Sequence, residues 1–159
     1  ALLTPAGRVG QHRFIIDVTP PITAGAFAAN DALGGRMTFS QASHGSGETG
    51  EVQCLRIVDV AQQLAPMDLI LFDQAFTAVA DNAAFTVTDA DLANCVGVIP
   101  ILAANYWNLL NNSVALIYPV GLPFRTVGSA DLYGQLILRA APTYAAATDI
   151  KVRLSVRRD

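Results

Sequence analysis

Residues 150–157 read Ile-Lys-Val-Arg-Leu-Ser-Val-Arg, with apolar and polar side chains in strict alternation. A strand turns successive side chains to opposite faces. A period of two therefore puts Ile150, Val152, Leu154 and Val156 on one face and the polar residues on the other. One dry face and one wet face indicate an antiparallel sheet. Residues 52–60 read similarly: Val52, Cys54, Val58 and Val60 are expected to share an apolar face opposite Glu51, Gln53 and Asp59. Further strand candidates are 13–18, 36–39, 67–72, 96–102, 114–118 and 132–139.

Turn formers separate these candidates: Asn30-Asp31, Gly34-Gly35, the run His44-Gly45-Ser46-Gly47-Glu48-Thr49-Gly50, Asn111-Asn112 and Gly128-Ser129. About eight short strands spaced by turns predict a sandwich or barrel. Thr88, ahead of Asp89-Ala90-Asp91-Leu92-Ala93-Asn94, supplies a capping hydroxyl followed by acids suited to a positive helix end. It predicts one helix of about two turns.

The first twenty residues differ from the rest. Thr4-Pro5-Ala6-Gly7 and Thr19-Pro20-Pro21 bracket a short apolar and basic stretch, and Pro20-Pro21 reads as an extended joint. The expected organisation is an N-terminal arm, 1–20, and one all-β domain, 21–159. That domain is an antiparallel β-sandwich with one short helix, and the jelly roll is its candidate topology. In the arm, Leu2, Leu3, Arg8, Arg13 and Phe14 are candidate contacts to a neighbouring subunit. The leucines have little local structure to bury them, the arginines can pair with acidic groups, and an extended segment can add a strand to a neighbour's sheet edge. Two alternatives stand beside this reading: a frayed end at Leu2 and Leu3, and 13–18 as an ordinary strand of the domain.

At 159 residues the chain can bury a core as one domain. Only 14% of its residues are charged, against 52% hydrophobic, where soluble domains carry roughly 25% charged residues. The longest apolar stretch, 96–104, contains Gly97 and Pro100 and falls short of the roughly 20 residues of a spanning helix. No basic region precedes an apolar run at the start, so no signal peptide is expected. Surface buried against a neighbour needs no charge, which points to self-association, as a trimer or dimer, or to a larger assembly. Lys151 is the only lysine among ten basic residues, and arginine is the cation favoured at interfaces. A net charge of −3 lacks the basic footprint of a nucleic-acid binder.

Catalytic and ligand signatures are weak throughout. The glycine run 45–50 lacks the Gly-Lys-Ser/Thr ending of a phosphate loop and opens a strand rather than a helix, so a hairpin loop is expected. Asp89 and Asp91 fail the calcium-loop pattern, since its sixth and twelfth positions hold Asn94 and Pro100. His12 and His44 have no spacing that joins them to each other or to a cysteine as metal ligands. Asp68, Asp73 and Asp81 are unremarkable as catalytic carboxylates. Cys54 and Cys95 are expected as buried, reduced thiols. No enzyme activity, metal or cofactor is expected. Tyr106-Trp107, flanked by Asn105 and Asn108, is the most distinctive cluster. It reads as an interface anchor, as a sugar-stacking pair, or as a loop tucked over the core.

The stretch 22–35, Ile-Thr-Ala-Gly-Ala-Phe-Ala-Ala-Asn-Asp-Ala-Leu-Gly-Gly, resembles the opening of a family of small virion proteins of tailed bacteriophages. Asp68-Leu69-Ile70-Leu71-Phe72, Asp81-Asn82-Ala83-Ala84-Phe85-Thr86, Asp89-Ala90-Asp91-Leu92, Gly121-Leu122-Pro123-Phe124 and Leu132-Tyr133-Gly134 continue the likeness to the C-terminus. The resemblance implies a head decoration, or cement, protein at the capsid surface, made in the host bacterial cytoplasm. It would bind the major capsid protein and stabilise the expanded head by bridging capsomers, with no nucleic-acid or membrane partner. A carbohydrate-binding sandwich and a neck or tail component are the alternatives.

Overall fold

A computed structural model describes residues 12–159 of the chain. The strands are β1 (His12–Val18), β2 (Gly25–Ala26), β3 (Ala32–Phe39), β4 (Thr49–Asp59), β5 (Met67–Phe72), β6 (Cys95–Ile101), β7 (Tyr106–Asn108), β8 (Ser113–Ile117), β9 (Leu122–Arg125), β10 (Leu132–Leu138), β11 (Thr143–Tyr144) and β12 (Ile150–Arg158). One short helix, α1 (Asp89–Leu92), stands between β5 and β6.

The pairing is antiparallel throughout and nested in sequence. β1 pairs with β12, β3 with β10, β4 with β8 and β9, and β5 with β6. Such a chain is one long hairpin, and rolling it up brings β12 beside β4 and β10 beside β5. Two packed sheets result. One runs β1-β12-β4-β8-β7, with β9 continuing the line of β8 along β4; the other runs β3-β10-β5-β6. Strands wound in this order form a jelly roll, the candidate topology of the expected sandwich.

The terminal strand is seated as its alternation requires. Ile150, Val152, Leu154 and Val156 are buried between the sheets, where they meet Leu33, Met37 and Leu69 in one core. Packing on both sides of the sheet explains why β5 is an apolar run from Leu69 to Phe72. Leu69 and Leu71 face the sandwich core, while Ile70 and Phe72 pack outward beneath Phe76 and Phe85. The segment 73–94 thus roofs the outer face of the β3-β10-β5-β6 sheet. It is pinned there by Asp81, which accepts from the Thr23 amide (2.7 Å), the Thr23 hydroxyl (2.6 Å) and the Gly34 amide (2.6 Å).

Several expectations are corrected. On β4, Val52 is buried but Cys54, Val58 and Val60 are not, and Leu55, Ile57 and Asp59 face the core instead. The cause is a bulge: Ser155 faces Cys54 and Val156 faces Val52, leaving Gln53 as an extra residue that reverses the alternation beyond it. Asp59 is tolerated inside because its Oδ2 accepts from the amides of Gln63 (2.7 Å) and Leu64 (2.9 Å) and from the Ser113 hydroxyl (3.3 Å).

Gly34-Gly35 lies within β3, not at a turn. Gly34 has φ +76° and approaches Pro20 so closely that an added Cβ would stand 2.7 Å from the Pro20 Cβ. Pro20 is accordingly buried and packed on the domain. His12–Val18 pairs with β12 along its whole length, so 12–20 belongs to the sandwich and not to a separate arm. The rest of the expected arm lies outside the described residues. The glycine run 45–50 is no hairpin: it crosses between the sheets, tied by the Gly47 amide to the Thr126 carbonyl (2.9 Å) and by Ser43 Oγ against Thr126 Oγ1 (2.8 Å). Helix α1 spans four residues rather than two turns, although Thr88 caps it as expected by accepting from the Asp91 amide (3.1 Å).

Candidate functional site: an open sheet face

The two sheets differ in one respect that bears on function. The β3-β10-β5-β6 sheet is roofed by 73–94. The outer face of the β1-β12-β4-β8-β7 sheet is not covered by any described residue, and large apolar side chains stand on it in the open. Ile15 is 57% exposed, Trp107 59% and Tyr118 73%, with Leu116 also exposed.

Strand register sets out this face in rows. Ile15, Ser155 and Cys54 lie abreast; Asp17, Arg153, Arg56 and Leu116 form the next row; Lys151, Val58, Val114 and Trp107 form a third. Arg153 is held by Asp17 through two bonds, Nε to Oδ1 at 2.7 Å and Nη2 to Oδ2 at 3.1 Å. The hydrogen bond to Arg153 is the main reason that the Asp17 carboxyl titrates below the usual carboxylate range. Among the described residues, Arg13, Arg56 and Lys151 make no ion pair, and the Arg56 Nε is buried without a hydrogen-bond acceptor. The face therefore presents apolar side chains interleaved with unsatisfied cations. Such a surface suits a partner with apolar area and carboxylates.

The residues singled out from sequence fall in different places. Leu2, Leu3 and Arg8 lie outside the described residues. Arg13 is exposed on the open face. Phe14 is half-buried on the opposite side of β1, with the Arg158 guanidinium 4.1 Å over its ring, so it is not a free contact. Tyr106 and Trp107 are consecutive on β7 and point to opposite faces. Tyr106 turns inward and donates its hydroxyl to the Ala65 carbonyl at 2.9 Å; burial raises its phenol well above the ordinary range. Only Trp107 remains available, so the two rings cannot clasp a sugar together. Ile15, Leu116 and Tyr118 were missed. Ile15 is placed by the register of β1 on β12 and Leu116 by that of β8 on β4, and neither register can be read until the pairing partner is known.

Catalytic chemistry finds little support in the geometry. Asp68 is bound to Arg139 (2.7 Å) and Asp81 is saturated by backbone and hydroxyl donors. Asp73 lies apart, and its carboxyl is raised chiefly by burial. His12 and His44, unrelated by spacing, do meet, edge to face at 5.5 Å between ring centres. No third ligand joins them, and no group of three metal-ligating side chains occurs among the described residues. Both cysteines are free, and burial raises both thiols. A groove between the sheets, lined by Val98, Pro100, Ile117, Pro119 and Leu122, carries no titratable side chain. Among the described residues no helix is long and apolar enough to cross a membrane.

No family model matches the chain, and no curated protein matches it. Among solved structures, a chain in a structure of infectious bursal disease virus, Gx strain, is similar over 93% of this chain and 32% of its own length. The identity is 9% and the TM-score 0.43. This chain spans a minor part of that one, and a likeness of this degree assigns no function.

Proposed function

We propose that this chain is a non-enzymatic structural protein of a virion, a decoration protein that binds the expanded head of a tailed bacteriophage. The observation that carries the reading is the asymmetry between the sheets: one outer face is roofed by the chain itself, the other is left open with Ile15, Trp107, Leu116 and Tyr118 exposed among cations. A docking face of that kind suits a protein whose work is to lie on another protein. The jelly roll is compatible with this role, being used by capsid domains, though it also serves lectins and cupins. The phage assignment rests on the resemblance of the stretch 22–35 and the motifs that follow it.

The mechanism is mass action. A protein that binds the expanded shell and not its precursor stabilises the expanded state in proportion to the logarithm of its concentration over Kd. Each copy that spans two capsomers adds contact where the shell is weakest, and many copies multiply a modest energy.

Mass spectrometry of purified virions tests the reading through the copy number relative to the major shell protein. Comparable copy numbers are expected. A number set by one ring at a single vertex would place the chain in a neck or tail instead. Trp107→Ala and Leu116→Arg should leave the melting curve of the isolated protein unchanged and lower shell occupancy. Full occupancy by both variants would remove the open face from the interface, and glycan binding lost on Trp107→Ala would favour a lectin-like role.

A further inference from the structure

A sheet edge is a row of unpaired amides and carbonyls, and natural proteins blunt it. All but one of the edges of this sandwich are blunted: edge strand β9, paired with β4 alone, is four residues long and carries Pro123. The start of β3 is covered by the segment 80–85: the Ala32 amide donates to the Ala83 carbonyl (2.8 Å) and the Asn82 amide to the Ala32 carbonyl (2.9 Å). Edge strand β6 carries Pro100 and a register irregularity opposite Leu71 and Phe72. Edge strand β7 is only three residues long. The remaining edge, β1, is different. It runs seven residues in unbroken register, has no proline or glycine, and carries the exposed Ile15 at its centre. Among the described residues β1 pairs with β12 alone.

The sequence of β1, His-Arg-Phe-Ile-Ile-Asp-Val, is also complementary to itself when reversed. In an antiparallel pair of β1 strands related by a two-fold axis, facing residues must lie on the same side of the sheet, so the axis must pass through a residue. Centred on Ile15, Arg13 faces the second copy's Asp17 at both ends, Ile15 faces Ile15, and Phe14 faces Ile16. Centred on Arg13 or Asp17, like charges meet on the axis. Centred on Phe14 or Ile16, an apolar Ile15 faces a charge and no ion pair forms. One register satisfies every outward residue. Asp17 is exposed and ionised, and it already accepts from Arg153 along the strand row. The second copy's Arg13 would give Asp17 a second cation, on the side away from Arg153.

We propose that two copies of this chain associate through β1, in antiparallel register about Ile15, and fuse their β1-β12-β4-β8-β7 sheets into one continuous sheet. The two open faces then become coplanar, giving a docking surface of twice the breadth. The inference concerns the edge and does not depend on what binds the face. The contact is small by the standard of stable interfaces, so a weak, concentration-dependent dimer is expected.

Sedimentation of the full chain over a concentration series tests it, with two single variants. Arg13→Asp places acid opposite acid and Asp17→Arg places base opposite base. Two-fold symmetry makes each change act at both ends of the strand pair, so each should weaken dimerisation by roughly 10-fold or more. An equimolar mixture of the two variants restores both opposite-charge pairs and should form a mixed dimer. Both positions are exposed, and circular dichroism confirms that each variant folds. In a background with Cys54 and Cys95 replaced by serine, Ile15→Cys should give an oxidised dimer, because the two side chains stand directly opposite each other. A wild-type chain that stays monomeric up to ~1 mM overturns the proposal. So does a dimer that both charge variants leave unchanged, or a mixture that associates no better than its components. Loss of the dimer with shell binding intact would separate this edge from the docking face.

Discussion

Gln135 is the best single test of how the sandwich keeps one face roofed. It lies on β10, on the outer side of the sheet, and is fully buried. Its Nε2 donates to the Gly34 carbonyl at 2.8 Å and to the Val79 carbonyl at 2.6 Å, while its Oε1 accepts from the Val79 amide at 3.2 Å. One side chain therefore satisfies three backbone groups and clips the roofing segment to the sheet. Gln135→Leu keeps the size and removes all three bonds. At ~1 kcal/mol net per hydrogen bond, the loss is about 3 kcal/mol. A chain of this length should then melt roughly 6–12 °C lower.

Gln135→Glu sharpens the test. A carboxylate keeps the acceptor for the Val79 amide but turns an anion toward two carbonyl oxygens. Its charged form is disfavoured in the fold, so the folded pKa rises above the unfolded value of about 4.3. The stability of this variant is therefore highest below the unfolded pKa and is lost as pH rises through the folded one. Melting by near-ultraviolet circular dichroism gives the magnitude, and hydrogen exchange of 73–94 gives the location, since that segment should lose protection before the core. A Gln135→Leu protein that melts within ~1 °C of wild type would refute the reasoning.

Further outcomes follow from other buried groups. Leu154→Asp puts an unpaired charge between the sheets and should cost more than about 4 kcal/mol; an unchanged urea midpoint would refute its placement. Burial, assisted by nearby Asp59, holds the Tyr144 phenol above its ordinary range, and burial does the same for Tyr106. A raised folded pKa means that stability is complete below the unfolded value of about 10 and falls as pH climbs beyond it, which melting curves between pH 8 and 11 should show. The Tyr144 hydroxyl is buried without a partner, so Tyr144→Phe should cost nothing at pH 7 and flatten that alkaline loss. Cys54 and Cys95 should alkylate slowly in the native protein and fully after denaturation; a denatured mass with no alkyl group added would show that they are not free thiols.

Period and punctuation made much of the fold legible. Strict alternation over 150–157 set the inward face of β12, and turn residues separated most of the principal strands within a residue or two. Thr88 announced its cap. These features are local: each depends on the chirality of a strand, the φ preference of a turn residue, or one hydroxyl near three amides, and a linear string carries all of them. The short strands β2, β7, β9 and β11 escaped notice because two to four residues carry no period.

Pairing decided the rest. One extra residue at Gln53 reversed β4, sending Asp59 inward and Cys54 outward, and nothing in 52–60 marks that residue apart from its partner on β12. Gly34 looked like a turn because φ > 0 is a turn's signature. The actual reason for it is the nearness of Pro20, fourteen positions earlier in the chain. The nested pairing that made a jelly roll, and left one sheet roofed and the other open, joins residues more than a hundred positions apart, such as Val18 and Val152. Alternation says that a strand has two faces. Which face meets the core, and which is left for a partner, depends on what lies across the sheet, and only tertiary structure supplies that.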